Sequence, residues 1–199
     1  MKLLHNDNLF CWSEFDQDRN IDFHSYLWVR STGNVIFDPL PLSSHDENHL
    51  KSLGGVTYII ISNSDHVRNA EKLAEIMGAQ IWGPAGEAKN FPIKCTQWLN
   101  EGDQVLEGLD IYSLSGSKTD GELSFVIEGE TLITSDLIRA HSGGKLCMLP
   151  DAKLLDVAAA KKSVKRLAAI KGVKAILPGD GWPVFRDGEQ VLSELAKSI

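Results

Sequence analysis

Four loops in this 199-residue chain place carboxylate, imidazole or ammonium groups directly after apolar runs. Val56–Ile61 (VTYIII) is followed by Ser62-Asn63-Ser64-Asp65-His66, and Thr131–Thr134 (TLIT) by Ser135-Asp136. Val173–Leu177 (VKAIL) leads into Pro178-Gly179-Asp180-Gly181, and Asp110–Leu114 into Ser115–Gly121, which holds Lys118. In α/β proteins ligands collect at the carboxyl ends of parallel strands. Each residue also has a plainer use. Asp65 could cap the helix that follows, Asp136 and Asp180 suit turns, and Lys118 in a Gly/Ser loop would by default face solvent. Two other chemistries are absent: there is no Gly-x-Ser-x-Gly nucleophile elbow, and Gly83-Pro84-Ala85-Gly86 lacks the Lys-Ser/Thr end of a phosphate loop.

The elements that must position these groups can be read from periodicity. Phe23–Val29 and Asn34–Phe37, separated by a Gly33-Asn34 turn signal, predict a hairpin ended by Asp38-Pro39. Ser44–Leu53 predicts a short helix. Val56–Ile61 reads as a strand buried on both faces, Asn69–Met77 as an amphipathic helix closed by Gly78, and Gln80–Trp82 as the next strand. Together they predict a parallel crossover. Asp110–Ser113, Glu122–Ile127 and Thr131–Thr134 continue as strands. A helix over Leu154–Ile170, capped by Gly172, then a strand over Val173–Leu177, form a second crossover, and a terminal helix is expected over Val191–Ile199. This rhythm of strands, helix and strand in each half predicts one α/β domain over residues 1–199: an αββα sandwich of two mixed sheets flanked by helices.

Composition narrows the partners. With 43% apolar and 24% charged residues the chain has an ordinary globular make-up. A net charge of −7 gives it no attraction for a polyphosphate backbone, so nucleic acid is not an expected partner. The one basic run, Lys161-Lys162 to Lys165-Arg166, has helical spacing and reads as a solvated face. Cys11, Cys95 and Cys147 are dispersed and odd in number, as expected of free thiols in a reducing compartment. The polar N-terminus and the lack of a long apolar run point to a cytoplasmic protein without a membrane span.

The order of these landmarks resembles the metallo-β-lactamase superfamily, from about Tyr26 to Pro183. That family has an HxHxDH loop after a buried strand, then a GH(T/S)xG loop, a bridging aspartate and a GHG loop. Here the first reads Ile61-Ser62-Asn63-Ser64-Asp65-His66 and the second Ser117-Lys118-Thr119-Asp120-Gly121. The bridging aspartate matches Asp136, Asp180 replaces the GHG histidine, and Asp38 stands where the family closes an early strand.

The resemblance implies that the first-metal positions, Ile61, Asn63 and Lys118, have lost their histidines. It leaves Asp65, His66, Asp136 and Asp180 as a candidate set for one divalent metal, Zn, Mn or Fe. Three carboxylates beside a single ammonium, with Lys118 paired to Asp136, would favour keeping that ion. The implied activity is hydrolysis of a small ester, thioester, lactam or phosphoester, at most mononuclear, with Asp65 and Lys118 as catalytic candidates. The alternative is an inactive member that binds a small molecule or a protein. Ile61, expected against the old first-metal site, favours the alternative. Among the other residues, His141 could rim the pocket, although a surface histidine is the plainer expectation, and Trp182 is expected in the core.

Overall fold

The computed structural model describes all 199 residues. Its larger sheet has seven strands in spatial order: β1 (Lys2–Leu3), β2 (Leu9–Asp16), β3 (Ile21–Trp28), β4 (Val35–Phe37), β5 (Tyr58–Ile60), β6 (Gln80–Pro84) and β7 (Gln97–Leu99). Pairing is antiparallel from β1 to β4 and parallel from β4 to β7. Helix α1 (Ser44–Ser52) joins β4 to β5, and α2 (Ala70–Met77) joins β5 to β6. Next along the chain come β8 (Leu109–Ser113), β9 (Leu123–Ile127) and β10 (Thr131–Thr134), then a separate hairpin of β11 (Ile138–Ser142) and β12 (Lys145–Met148). Helix α3 (Val157–Leu167), β13 (Ala175–Pro178) and α4 (Gly188–Ser198) complete the chain. The second sheet has the order β13-β10-β9-β8, with β13 parallel to β10 and the other pairs antiparallel.

Strand parity sorts the apolar residues into three layers, because successive side chains point to opposite faces. Val35, Phe37 and Ile60 of the first sheet meet Leu123, Phe125, Ile127, Ile133 and Leu177 of the second in the inter-sheet core. Ile36, Ile59 and Ile61 point the other way and pack with Leu50 of α1 and Leu73 of α2. Val126, Leu132 and Ile176 do the same on the far side, against Val164 and Leu167 of α3 and Leu192 and Leu195 of α4. The result is helix, sheet, sheet, helix, as the rhythm of the sequence predicts. No helix is long and apolar enough to cross a membrane.

Some boundaries differ from expectation. α3 starts at Val157 because Asp156 caps it, its carboxylate accepting from the Ala159 N–H at 3.0 Å. The helix ends at Ala168, so Gly172 does not cap it and instead sits in the following turn at φ 86°. Gly78 does close α2, in the left-handed conformation at φ 68°. β2 and the β11–β12 hairpin carry no strand expectation from the sequence. Trp182 is not in the core; it is 61% exposed.

Two hydrogen bonds tie the sheets together near the site. The Leu123 N–H donates to the Ser62 carbonyl at 2.8 Å, and the buried Tyr26 hydroxyl donates to the Pro178 carbonyl at 2.6 Å. Tyr26→Phe keeps the ring but leaves that carbonyl without its buried partner, so denaturant melts should show a loss of about 1–3 kcal/mol.

Candidate functional site

The loops after β4, β5, β10 and β13 converge at one end of the sandwich. Asp38 follows β4, is 4% exposed, and adopts a left-handed φ of 49°. Its carboxylate accepts from the Ser62 N–H at 2.8 Å, the Ser62 hydroxyl at 2.6 Å and His66 Nδ1 at 2.8 Å. Burial works against its charge, but His66, Arg68 and the Ser62 hydroxyl outweigh burial and hold the carboxyl below the usual range. The bond to Asp38 fixes the imidazole's tautomer and turns Nε2 toward Asp136, 3.7 Å away.

Asn63 occupies one lost-histidine position and works as an organiser. Its Oδ1 accepts from the Asp65 N–H at 2.9 Å, capping a single 3-10 turn over Ser64–His66. Its Nδ2 donates to Ser135 Oγ at 2.9 Å and Asp136 Oδ2 at 3.1 Å. Ile61, the other such position on this strand, does not approach the cavity. It has the same parity as Ile59 and lies in the core between sheet and helices. Asp65 caps no helix: α2 has Asn69 at its N-cap.

Lys118 forms an ion pair with Asp65 and not with the expected Asp136. Burial lowers the lysine's affinity for its proton, yet the hydrogen bond it donates to Asp65 and the charges of Asp136, Asp65 and Asp180 raise its pKa overall. Asp180 forms a buried ion pair with Arg139 of β11. The loop around Asp180 is held on several sides: the His24 N–H donates to the Gly179 carbonyl at 2.8 Å, Gly179 N–H to the Thr134 carbonyl at 2.8 Å, and Trp182 N–H to the Ala140 carbonyl at 2.7 Å. Gly181 has φ 92°, and a Cβ there would lie 2.1 Å from the Ala140 carbonyl oxygen, so glycine is required.

A cavity of about 580 Å³ opens over this floor. It is lined by Asp65, His66, Lys118, Asp136 and Asp180, so the candidate residues other than Ile61 and Asn63 share one space. His141 rims it, as an exposed residue. Yet no three His, Cys, Asp or Glu side chains gather closely enough to hold a metal ion. Two of the three carboxylates are taken by Lys118 and Arg139. The charge count from sequence is therefore corrected. Arg19, Arg68, Arg139 and Lys153 join Lys118 in the lining, giving five basic against three acidic side chains. The surplus is positive, in a chain of net charge −7. A divalent cation is not needed to balance this pocket, and the residues as arranged do not fit one.

Glu122 lies just beneath. It is fully buried, accepting from Leu137 N–H at 3.0 Å and from the Ser117 hydroxyl. Burial and the charge of Asp136 push its carboxyl up to about 8 against those two bonds.

The sequence profile of the metallo-β-lactamase superfamily matches residues 1–199. No curated protein matches. Among solved structures, a metallo-β-lactamase from Hirschia baltica superposes with a TM-score of 0.76 at 14% identity, covering 98% of this chain and 95% of that one. The FIM-1 metallo-β-lactamase of Pseudomonas aeruginosa, in a mono-zinc form, gives 0.74 at 14% identity, with 96% and 90% covered. TTHA1623, in a di-iron-bound form, gives 0.72 at 18% identity, with 94% and 100% covered. At these identities the superpositions speak for the fold, and the profile over the whole length for the family. The chain belongs to the metallo-β-lactamase superfamily.

Proposed function

We propose that this chain is a metal-independent member of the family whose pocket binds a small anionic molecule. The observation that carries the reading is the pair of ion pairs Lys118–Asp65 and Arg139–Asp180. Side-chain cations occupy carboxylates that a metal would need, and the lining as a whole stays positive. A cavity of about 580 Å³ has small-ligand size. Fixed guanidinium and ammonium groups attract an anion without any ion being loaded first.

A second reading, a one-metal hydrolase of a small ester, thioester, lactam or phosphoester, is favoured by one feature. His66 donates through Nδ1 to Asp38 and presents Nε2 to the cavity beside Asp136, the orientation that metal-ligating imidazoles adopt. It requires Asp65 and Asp180 to give up Lys118 and Arg139. Metal analysis of chelator-free protein, with calorimetric titration of Zn²⁺, Mn²⁺ and Fe²⁺, separates the two. The expected result is no stoichiometric metal, and anion binding unchanged by EDTA. A stoichiometric metal that survives dialysis and disappears in Asp136→Ala would replace the first reading with the second.

A further inference from the structure

We infer that the ligand is a hydroxylated phosphate monoester, its phosphate held by Arg68, Arg19 and Lys153 and a hydroxyl read by Asp180 and Arg139. This rests on the anion-binding reading above and narrows it to one chemical class.

The mouth of the cavity supplies the phosphate site. The guanidinium carbons of Arg19 and Arg68 lie 5.6 and 5.7 Å from the centre of the same Phe23 ring. Both guanidiniums thus flank this ring, and all three residues belong to the cavity lining. Arg68 donates through NH1 to the His24 and Asp38 carbonyls, at 2.7 and 3.0 Å, and forms no ion pair with a carboxylate. Its backbone has a φ of 44°, an uncommon conformation for arginine, and strain of this kind clusters where a side chain is being aimed. Arg19 reaches only Asp16, at 3.7 Å on the surface, and Lys153 has no ionic partner though it lines the same cavity. Two guanidiniums flanking one ring suit two charges on one tetrahedral group better than carboxylates at opposite ends of a molecule. The charge balance agrees. The lining's surplus of two positive charges is closed by a dianion, and a phosphate monoester carries about −1.5 to −2 at neutral pH.

The floor supplies the second half. Asp180 is 2% exposed, yet its Oδ1 has no hydrogen-bond partner, and neither has Nε of Arg139 beside it. Buried polar atoms are rarely left unpaired. One unpaired acceptor and one unpaired donor within the same ion pair call for a group that both donates and accepts, which is what an alcohol offers. A ligand with a phosphate at the mouth and a hydroxyl at the floor answers both halves of the lining.

Calorimetric titration of the full chain in EDTA tests this, with ribose 5-phosphate, inorganic phosphate, succinate and ribose as probes. The expected order places ribose 5-phosphate about tenfold or more tighter than inorganic phosphate, since one buried hydrogen bond to a charged group is worth that much. Succinate and ribose should bind more weakly than either. Lys153 is exposed, so Lys153→Met should fold normally and weaken ribose 5-phosphate by about tenfold without affecting ribose. Arg68→Lys, checked for folding by its melting curve, should weaken it by at least as much. Succinate binding more tightly than both phosphates would overturn the phosphate assignment while leaving the anion reading intact. Equal affinity for ribose 5-phosphate and inorganic phosphate would overturn the hydroxyl half. No binding of any anion would remove the underlying reading as well.

Discussion

Asp38→Ala is expected to cost about 3–5 kcal/mol of folding stability, because it removes one charged acceptor from three buried donors at once. The Ser62 N–H, the Ser62 hydroxyl and His66 Nδ1 all reach this carboxylate; the last two also contact Ser135 Oγ, while the Ser62 N–H has no other partner. At roughly 2–4 °C per kcal/mol for a chain of this size, the melting midpoint should fall by about 10 °C. Asp38→Asn separates charge from conformation. Asparagine tolerates the left-handed φ and can still accept from the Ser62 N–H, but its amide then faces the Ser62 hydroxyl and His66. It should lose about 1–3 kcal/mol, less than the alanine variant. The pH dependence has a definite sign. The folded carboxyl titrates below its unfolded value of 3.8, so its contribution is complete above that value and fades as the pH falls through the folded one. Denaturant melts at pH 7 and at pH 3 should therefore show the difference between wild type and Asp38→Asn shrinking in acid. An undiminished difference, or an alanine variant as stable as wild type, would show that Asp38 does not anchor the loop.

Much of the fold was legible because its strands alternate cleanly between apolar layers. The run Val56–Ile61 reads as a doubly buried strand, and its centre, Tyr58–Ile60, forms β5: Ile60 enters the inter-sheet core while Ile59 and the following Ile61 enter the helix layer. That same parity was the signal that Ile61 could not wall the cavity. β2 leaves no clear signal because Leu9–Asp16 mixes buried Leu9 and Trp12 with charged and exposed positions, and its turn to β3 has no Asn-Gly or Asp-Gly pair. The β11–β12 hairpin does carry a turn signal, Gly143-Gly144, between Ile138–Ser142 and Lys145–Met148. Reading it would have placed Arg139 on a strand, but not beside Asp180. That contact depends on the Ala140–Gly181 bridge, a pairing about forty residues apart that no spacing rule encodes. Arg68 escaped for a related reason. It follows the Asp65-His66 pair by two residues, and its left-handed backbone and its place beside Phe23 leave no mark in the sequence. The family-like positions were visible one loop at a time; their counter-charges came from elements the motifs do not cover.

Glu122→Gln should flatten the stability profile of the protein between pH 5 and pH 8. The wild-type carboxyl moves from an ordinary 4.5 to about 8 on folding, driven first by burial and then by the neighbouring charge of Asp136. The folded state therefore binds a proton more tightly than the unfolded chain, and stability is greatest below 4.5 and declines as the pH rises through the folded value. Over that window the decline should amount to roughly 3 kcal/mol, since each unit of pKa difference is worth about 1.4 kcal/mol. When the acid is protonated, the Ser117 hydroxyl can turn and accept from Oε2 while Oε1 still accepts from the Leu137 N–H, and a glutamine amide makes the same two contacts. The variant should match wild type at pH 5 and exceed it by about 3 kcal/mol at pH 8 in denaturant melts. Parallel profiles for the two proteins would mean that Glu122 is already ionised in the folded state. The residue also links two sides of the pocket, because Ser117 precedes Lys118 and Leu137 follows Asp136. A proton on Glu122 keeps a fourth carboxylate charge away from Asp136. Alkaline pH puts that charge back, which weakens the cationic surplus of the cavity by the same step that weakens the fold.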